Sequence, residues 1–275
     1  MPLANGNFGS QTARVDPTRG VIRERANTAW SSYHSLQASL DKRLSGGLSA
    51  GAHYTWSKFI DTISEVFNPS SGEVAAAQDP FDVENDKAVS AYDRPHRFAT
   101  NIVWELPWLR DRSGVAGALL GGWQASAQLT LQSGAPFTAL NGNDVANVLA
   151  GSLVGNAIRP NINTDVKTHR MSVEALIAAG GASLFSPLVA GVHRVGDVGR
   201  NTLRADGIGN IDVGLVKNTR FADGKNIQVR IEMFNATNTR NFGIPEGRIN
   251  NPGFLNQWGT DGGSRRIWGA LRFVF

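Results

Sequence analysis

The last stretch of the chain, Arg265 to Phe275, reads RRIWGALRFVF and alternates strictly. Ile267, Gly269, Leu271, Phe273 and Phe275 fall on one face, and Arg266, Trp268, Ala270, Arg272 and Val274 on the other. Successive side chains of a strand point to opposite faces, so this is a strand with one apolar or small face and one face bearing two arginines. Such a strand needs a neighbour for its backbone groups and a cover for its apolar side. That requirement governs how the rest of the chain is read.

Six more segments follow the same rule. In SSYHSLQASLDKRL, Leu36, Ala38 and Leu40 oppose Ser35, Gln37, Ser39 and Asp41. Ser45-Gly46-Gly47 makes a tight turn. Leu48, Ala50, Ala52, Tyr54 and Trp56 then alternate with Ser49, Gly51, His53 and Thr55. A third strand follows Pro95, with Phe98, Thr100, Ile102, Trp104 and Leu106 on one face. The pattern predicts a fourth from Gly122 to about Phe137, with Trp123, Ala125, Ala127, Leu129 and Leu131 against Gln124, Ser126, Gln128, Thr130 and Gln132. A fifth covers about Gly207 to Phe221. After the turn Ala222-Asp223-Gly224-Lys225, a sixth places Ile227, Val229, Ile231 and Met233 against Gln228, Arg230 and Glu232. The polar faces are built mostly from Ser, Gln, Asn, Thr and Gly. The aromatics Trp56, Trp104, Trp123 and Phe275 lie toward strand ends.

Between strands the alternation stops. Residues 60–94 hold eight Asp or Glu against one Lys and one Arg and read as a long exposed loop. Residues 108–121 form a moderate connection, with a helical turn in VAGALL. Residues 138–206 read as irregular, except for one short helix in SVEALIAAGG. There Ser172 caps, Val173, Leu176 and Ile177 make an apolar stripe, and Gly180-Gly181 ends the helix. Residues 235–264 form a further long loop. Connections after strands one, three and five are thus short or moderate, and those after two, four and six are long. This parity is expected of a membrane barrel, with short periplasmic turns and long extracellular loops. A soluble β-sandwich is the alternative, but nothing in a sandwich makes loop lengths alternate.

Composition narrows the function. Charged residues are 18% of the 275, below the usual ~25%. Cysteine is absent, which excludes a disulfide framework, a thiol nucleophile and a zinc–cysteine site. The net charge of +4 is scattered singly, unlike the basic stripe of a nucleic-acid-binding surface. No window of 18 apolar residues suits a transmembrane helix. The N-terminal MPLANGNFGSQTARVD has no basic region followed by an apolar one, so it is not read as a signal peptide.

Several motifs compete with a structural reading. Gly47 to Gly51, GLSAG, matches the G-x-S-x-G nucleophile elbow, but Ser49 sits in an alternating strand rather than before a helix. Asp79, Asp82, Glu84 and Asp86 are candidate calcium ligands without the glycine and terminal glutamate of an EF-hand loop. His96 in YDRPHR has no second histidine nearby and reads as the start of a strand. Arg230, Glu232, Arg266 and Arg272 are expected on the inward face as cross-strand ladder pairs. No catalytic, metal or cofactor site is expected.

With these segments in place, the chain resembles the C-terminal barrel of TonB-dependent outer-membrane receptors, most closely the Oar-like group with a carboxypeptidase-regulatory-like domain. The matching stretches are SSYHSLQASLDKRLSGGLSAGAHYTWSKFID, YDRPHRFATNIVWELPW, LLGGWQASAQLTLQSGAPFT, VGRNTLRADGIGNIDVGLVKNTRF, VRIEMFNATNTRNFGIP and RRIWGALRFVF, in the family's order. The resemblance implies a 22-stranded barrel holding a plug that a periplasmic energy-transducing protein pulls. It also implies uptake of a scarce small nutrient or peptide. The C-terminal strand resembles the signal read by the barrel-assembly machinery, with Gly269 a departure toward small. The expectation is therefore an all-β, antiparallel up-and-down transmembrane barrel fragment of about seven strands. Residues 1–27 would be an irregular N-terminal segment and 28–275 the barrel portion. Its partners would be outer-membrane lipid, the assembly machinery, and the absent plug and N-terminal strands. It would be a non-enzyme in the outer membrane of a Gram-negative bacterium. A self-contained or oligomeric structural or adhesive barrel is the other membrane reading.

Overall fold

The computed structural model describes residues 27–64, 77–79, 82–107, 114–142, 158–163, 165, 168, 171–189, 195–222, 224–257 and 263–275. The expected irregular N-terminal segment lies outside these, apart from its last residue.

In chain order the elements are β1 (Ser31–Ser45), β2 (Leu48–Asp61), β3 (Ala88–Val89), β4 (His96–Glu105), α1 (Gly114–Leu120), β5 (Trp123–Gln132) and β6 (Pro136–Phe137). Then come β7 (Asn161–Ile162), α2 (Val173–Ala178), β8 (Phe185–Ser186), β9 (Leu203–Arg204), β10 (Ile208–Ala222), β11 (Lys225–Phe234) and β12 (Arg266–Val274). The seven long strands form one antiparallel sheet in the order β1-β2-β4-β5-β10-β11-β12, with β3 added beside β2 as an eighth. Each long strand pairs with the next long strand in sequence, an up-and-down meander. β1 and β12 lie at opposite ends of the sheet and do not pair with each other, so the barrel is not closed.

The fourth strand stops five residues earlier than the alternation predicts. At Gly134 a Cβ would stand 1.8 Å from the Ala205 carbonyl oxygen. The chain leaves the sheet there, and Pro136–Phe137 pairs with Leu203–Arg204 in a separate ribbon. Alternation continues past the strand because β6 is a second, short strand.

The register carries one consequence for the whole sheet. Leu48 is level with Trp104, Ala125, Leu215 and Ile231 in turn. Leu48 opens β2 just after a turn, whereas Ile231 lies six residues beyond Lys225, which opens β11 just after its own turn. Six residues at ~3.3 Å, over four strand steps of ~4.8 Å, tilt the strands about 45° from the normal to the plane of the turns. The tilt is that of membrane barrel strands, ~35–45°. The 10 residues of β4, β5 and β11 and the 14 of β2 reach the ~9–11 that a tilted strand needs to cross hydrocarbon.

The packed core is not in the sheet. Its buried apolar cluster is Phe137, Ala139, Val173, Leu176, Leu184, Phe185, Val198, Leu203, Ala205 and Leu255. Every one of these lies in the long connections. The 138–206 segment, expected to be irregular but for one helix, supplies most of it. That helix is α2: the Ala175 N–H donates to Ser172 Oγ at 3.2 Å, and Val173 and Leu176 are buried. Ile177, expected in the same stripe, is instead 54% exposed.

Candidate functional site

The sheet presents two chemically distinct faces. On the outward face the register lines up the apolar residues of all seven strands. One row runs Ala38, Tyr54, Phe98, Leu131; another runs Leu48, Trp104, Ala125, Leu215, Ile231, Gly269. These side chains are uncovered: Leu36 is 63% exposed, Leu40 75% and Leu271 61%. Contiguous apolar surface on this scale marks contact with lipid or protein.

Charge on that face sorts by height. Along the tilted strands, Lys42, Lys217 and Lys225 fall within about 6 Å of the turn rim. His34, Lys58 and His96 gather at a common level about 20–23 Å above it. Between the two levels the strands' outward face carries no charged residue, and nowhere on it is there an Asp or Glu. Trp104 and Trp123 share a level near the turn rim, with Trp56 and Phe98 about 15 Å above them. An uncharged band flanked by aromatic girdles is the outer surface of a membrane barrel. Lys217, nearest the band, turns its ammonium onto the Gly121 carbonyl at 2.5 Å.

The inward face is polar and water-compatible. Asp41, Gly51, Asn101, Gln128 and Asp212 form one row across five strands. Ser49, Val103, Ser126, Gly214 and Glu232 form another.

At the rim opposite the turns, the three long loops interlock. Arg200 reaches 139 residues back to the buried Asp61 at the end of β2 and ion-pairs with it. It also donates to the Asp61 carbonyl at 2.7 Å and the Asp86 carbonyl at 2.9 Å. Arg159 pairs with the buried Asp86, and its backbone N–H donates to Gln78 Oε1 at 2.6 Å. Arg204 pairs with Asp93 at 2.9 Å, while the Phe59 N–H donates to the same carboxylate at 2.8 Å. The third loop joins through backbone bonds between Leu140 and both Gly247 and Ile249, and through Asn241, which accepts from the Gly209 N–H at 2.9 Å. There Glu246 and Arg248 pair at 2.5 Å. The Arg248 hydrogen bond holds the Glu246 carboxyl below its usual range, against burial, and Glu246 raises Arg248 in return.

These contacts revise the motif readings. The acidic segment 60–94 is not simply an exposed loop: Gln78, Asp79, Asp86, Ser90 and Asp93 are buried. The expected spacing of calcium ligands falls on a 3-10 helix, Val83–Asp86, where Asp82 and Glu84 are exposed and Asp86 turns inward to Arg159. Among the described residues no three His, Cys, Asp or Glu side chains cluster as metal ligands. Ser49 lies within β2 opposite Val103, its hydroxyl donating to the Lys42 carbonyl at 3.4 Å, so no elbow forms. His96 opens β4, as expected, and its Nδ1 bonds the Tyr54 hydroxyl at 2.8 Å.

The charged ladder on the last two strands does not form as cross-strand pairs. Arg230 faces Ala270, Glu232 faces Trp268, Arg272 faces Gln228 and Arg266 faces Phe234. Arg230 meets Glu232 along its own strand at 3.5 Å, with both exposed. Arg266 lies over the Phe234 ring at 5.9 Å. The residues that organise the rim, Arg159, Arg200 and Arg204, carry no local signal, since their carboxylate partners are 73 to 139 residues away.

A tilted up-and-down sheet with an uncharged outward band, a polar inward face and interlocked loops at one rim defines a membrane β-barrel wall. The chain belongs to the outer membrane beta barrel domain family, whose model matches residues 2–267. None of the curated proteins and none of the solved structures compared with it matches. Membership points to the outer membrane as its location.

Proposed function

We propose that this chain is the barrel portion of a TonB-dependent, Oar-like receptor that takes up a scarce nutrient across the outer membrane of a Gram-negative bacterium. It performs no catalysis of its own. The observation that carries this reading is the loop cap. A barrel wall needs only short connections, yet here three long loops build a packed core and buried ion pairs at one rim, above a polar inward face. A rigid mouth over a water-compatible interior suits selective capture and passage of a small solute or peptide. The edges of β1 and β12 support further strands and a plug in the assembled receptor, because an unpaired backbone group in hydrocarbon costs several kcal/mol. The assembly machinery would read the β12 end, and outer-membrane lipid would cover the outward band.

The test is a strain lacking the gene, compared with its parent on single limiting nutrients, with and without a proton-motive-force uncoupler. The expected result is loss of an uncoupler-sensitive growth advantage on at least one nutrient. Growth unchanged on all of them, with altered surface adhesion or envelope integrity, would replace transport with the structural barrel. That second reading draws on the same two edges, which a second copy of the chain would also pair.

A further inference from the structure

Gly51 sits on the inward face of β2 between two polar neighbours, Asp41 on β1 and Asn101 on β4, all three at one register level. Without a side chain at Gly51, both neighbours lean over its bare Cα, and His53 joins them from two residues along β2. A Cβ placed on Gly51 would stand 2.8 Å from Asn101 Oδ1, 3.0 Å from Asp41 Oδ1 and 3.4 Å from His53 Nε2. Two oxygens and one imidazole nitrogen therefore converge on a single point.

None of these three side chains is engaged elsewhere. Of the other strand carboxylates, Asp61, Asp212 and Glu232 each have a hydrogen bond or ion pair, and Glu105 is not without a partner. Asp41 has neither, although Arg43 stands two residues along the same face of β1. The row that holds the cluster ends in a second carboxylate, Asp212. The cluster lies about 7 Å above the turn rim, on the side that faces water.

We propose that Asp41, His53 and Asn101 bind a divalent first-row transition-metal cation on the inward wall. A carboxylate, an amide carbonyl and an imidazole form a mixed oxygen and nitrogen set, which such cations accept at ~2.0–2.2 Å. The cation stands further from the Gly51 backbone than a Cβ would, and the three side chains, which already border that open space, reach it by rotation. Three protein ligands leave further positions for water or for a ligand carried by the cation. The site goes beyond the uptake reading and needs only that the inward face be wet.

The test uses the full chain refolded in zwitterionic detergent micelles, with folding of each variant checked by far-ultraviolet circular dichroism. Calorimetric titration with Ni2+ alone is expected to give one site per chain. His53→Ala and Asp41→Asn are expected to weaken it at least roughly tenfold, and His34→Ala and His96→Ala, on the outward face, to leave it unchanged. Gly51→Ala puts a methyl among the ligand atoms and is expected to weaken binding similarly; Asn101→Ala answers the same question if that variant does not fold. Electron paramagnetic resonance of bound Cu2+ should show one imidazole nitrogen that His53→Ala removes. No Ni2+ binding by the wild type, or binding that survives His53→Ala and disappears in His34→Ala or His96→Ala, overturns the site. Growth phenotypes play no part in it, so its failure leaves the uptake reading standing, and the reverse holds too.

Discussion

Replacing Ala127 with arginine puts a charge at mid-height on the outward face. Ala127 lies beside Ile102 and Val213. The tilted register sets it about 11 Å above the turn rim, inside the uncharged band that runs from about 6 Å to about 20 Å. An arginine at the centre of hydrocarbon costs about 2–4 kcal/mol, roughly 30- to 900-fold in the folding equilibrium. The adjacent residue supplies the control. Gln128 points inward, opposite Asn101 and Asp212, where Gln128→Arg gains a carboxylate neighbour and is expected to cost less than about 1 kcal/mol. Both variants would be folded into phosphatidylcholine vesicles and unfolded in urea, followed by tryptophan fluorescence and heat-modifiable migration on a gel. A difference of about 2 kcal/mol or more between two neighbouring positions is the expected result. Equal stabilities would refute the reasoning, because a half-exposed alanine on a water-covered face accepts an arginine at little cost.

The other predictions concern the rim and the chain end. Arg200→Ala leaves the buried Asp61 carboxylate without its cation, a loss of about 3–5 kcal/mol. Limited proteolysis should then cut within the loops while the strands stay protected, and adding Asp61→Ala should restore part of the resistance. Glu246 is ionised below the usual carboxyl range because Arg248 bonds it. Its contribution is therefore fully present above the ordinary carboxyl value of ~4.3 and is lost as pH falls through the lower folded value. Hydrogen exchange at the Leu255 N–H, which donates to the Glu246 carbonyl, should accelerate over that acidic window, and Glu246→Gln should abolish the change. Deleting Phe275, which is 98% exposed, should leave spontaneous folding into vesicles unchanged and lower the amount reaching the outer membrane in cells; normal assembly would argue against an aromatic end as a sorting signal.

The sequence by itself determined the sheet. Period-two alternation is a local property, so all seven long strands, the Gly46-Gly47 turn and the Ser172 cap were legible from their own residues. Strand ends were off by a few positions, most of all after Gln132, where Gly134 lets the chain turn under Ala205. The alternation also set which residues share a face, but a slip of two residues keeps that face, so it left the register open. It did not show height. Only the paired register revealed the ~45° stagger that separates Lys42 and Lys225 at one rim from Lys58 and His96 at the other.

The tertiary structure alone decided the rim and the candidate metal site. Asp61, Asp86 and Asp93 look like a solvated acidic loop because their neutralising arginines come from residues 159–204. No window of sequence joins them. Asp41, His53 and Asn101 look like ordinary polar-face residues until three strands bring them over Gly51. Backbone periodicity is written residue by residue, whereas the pairing of a charge depends on where the chain returns, and folding is what sets that.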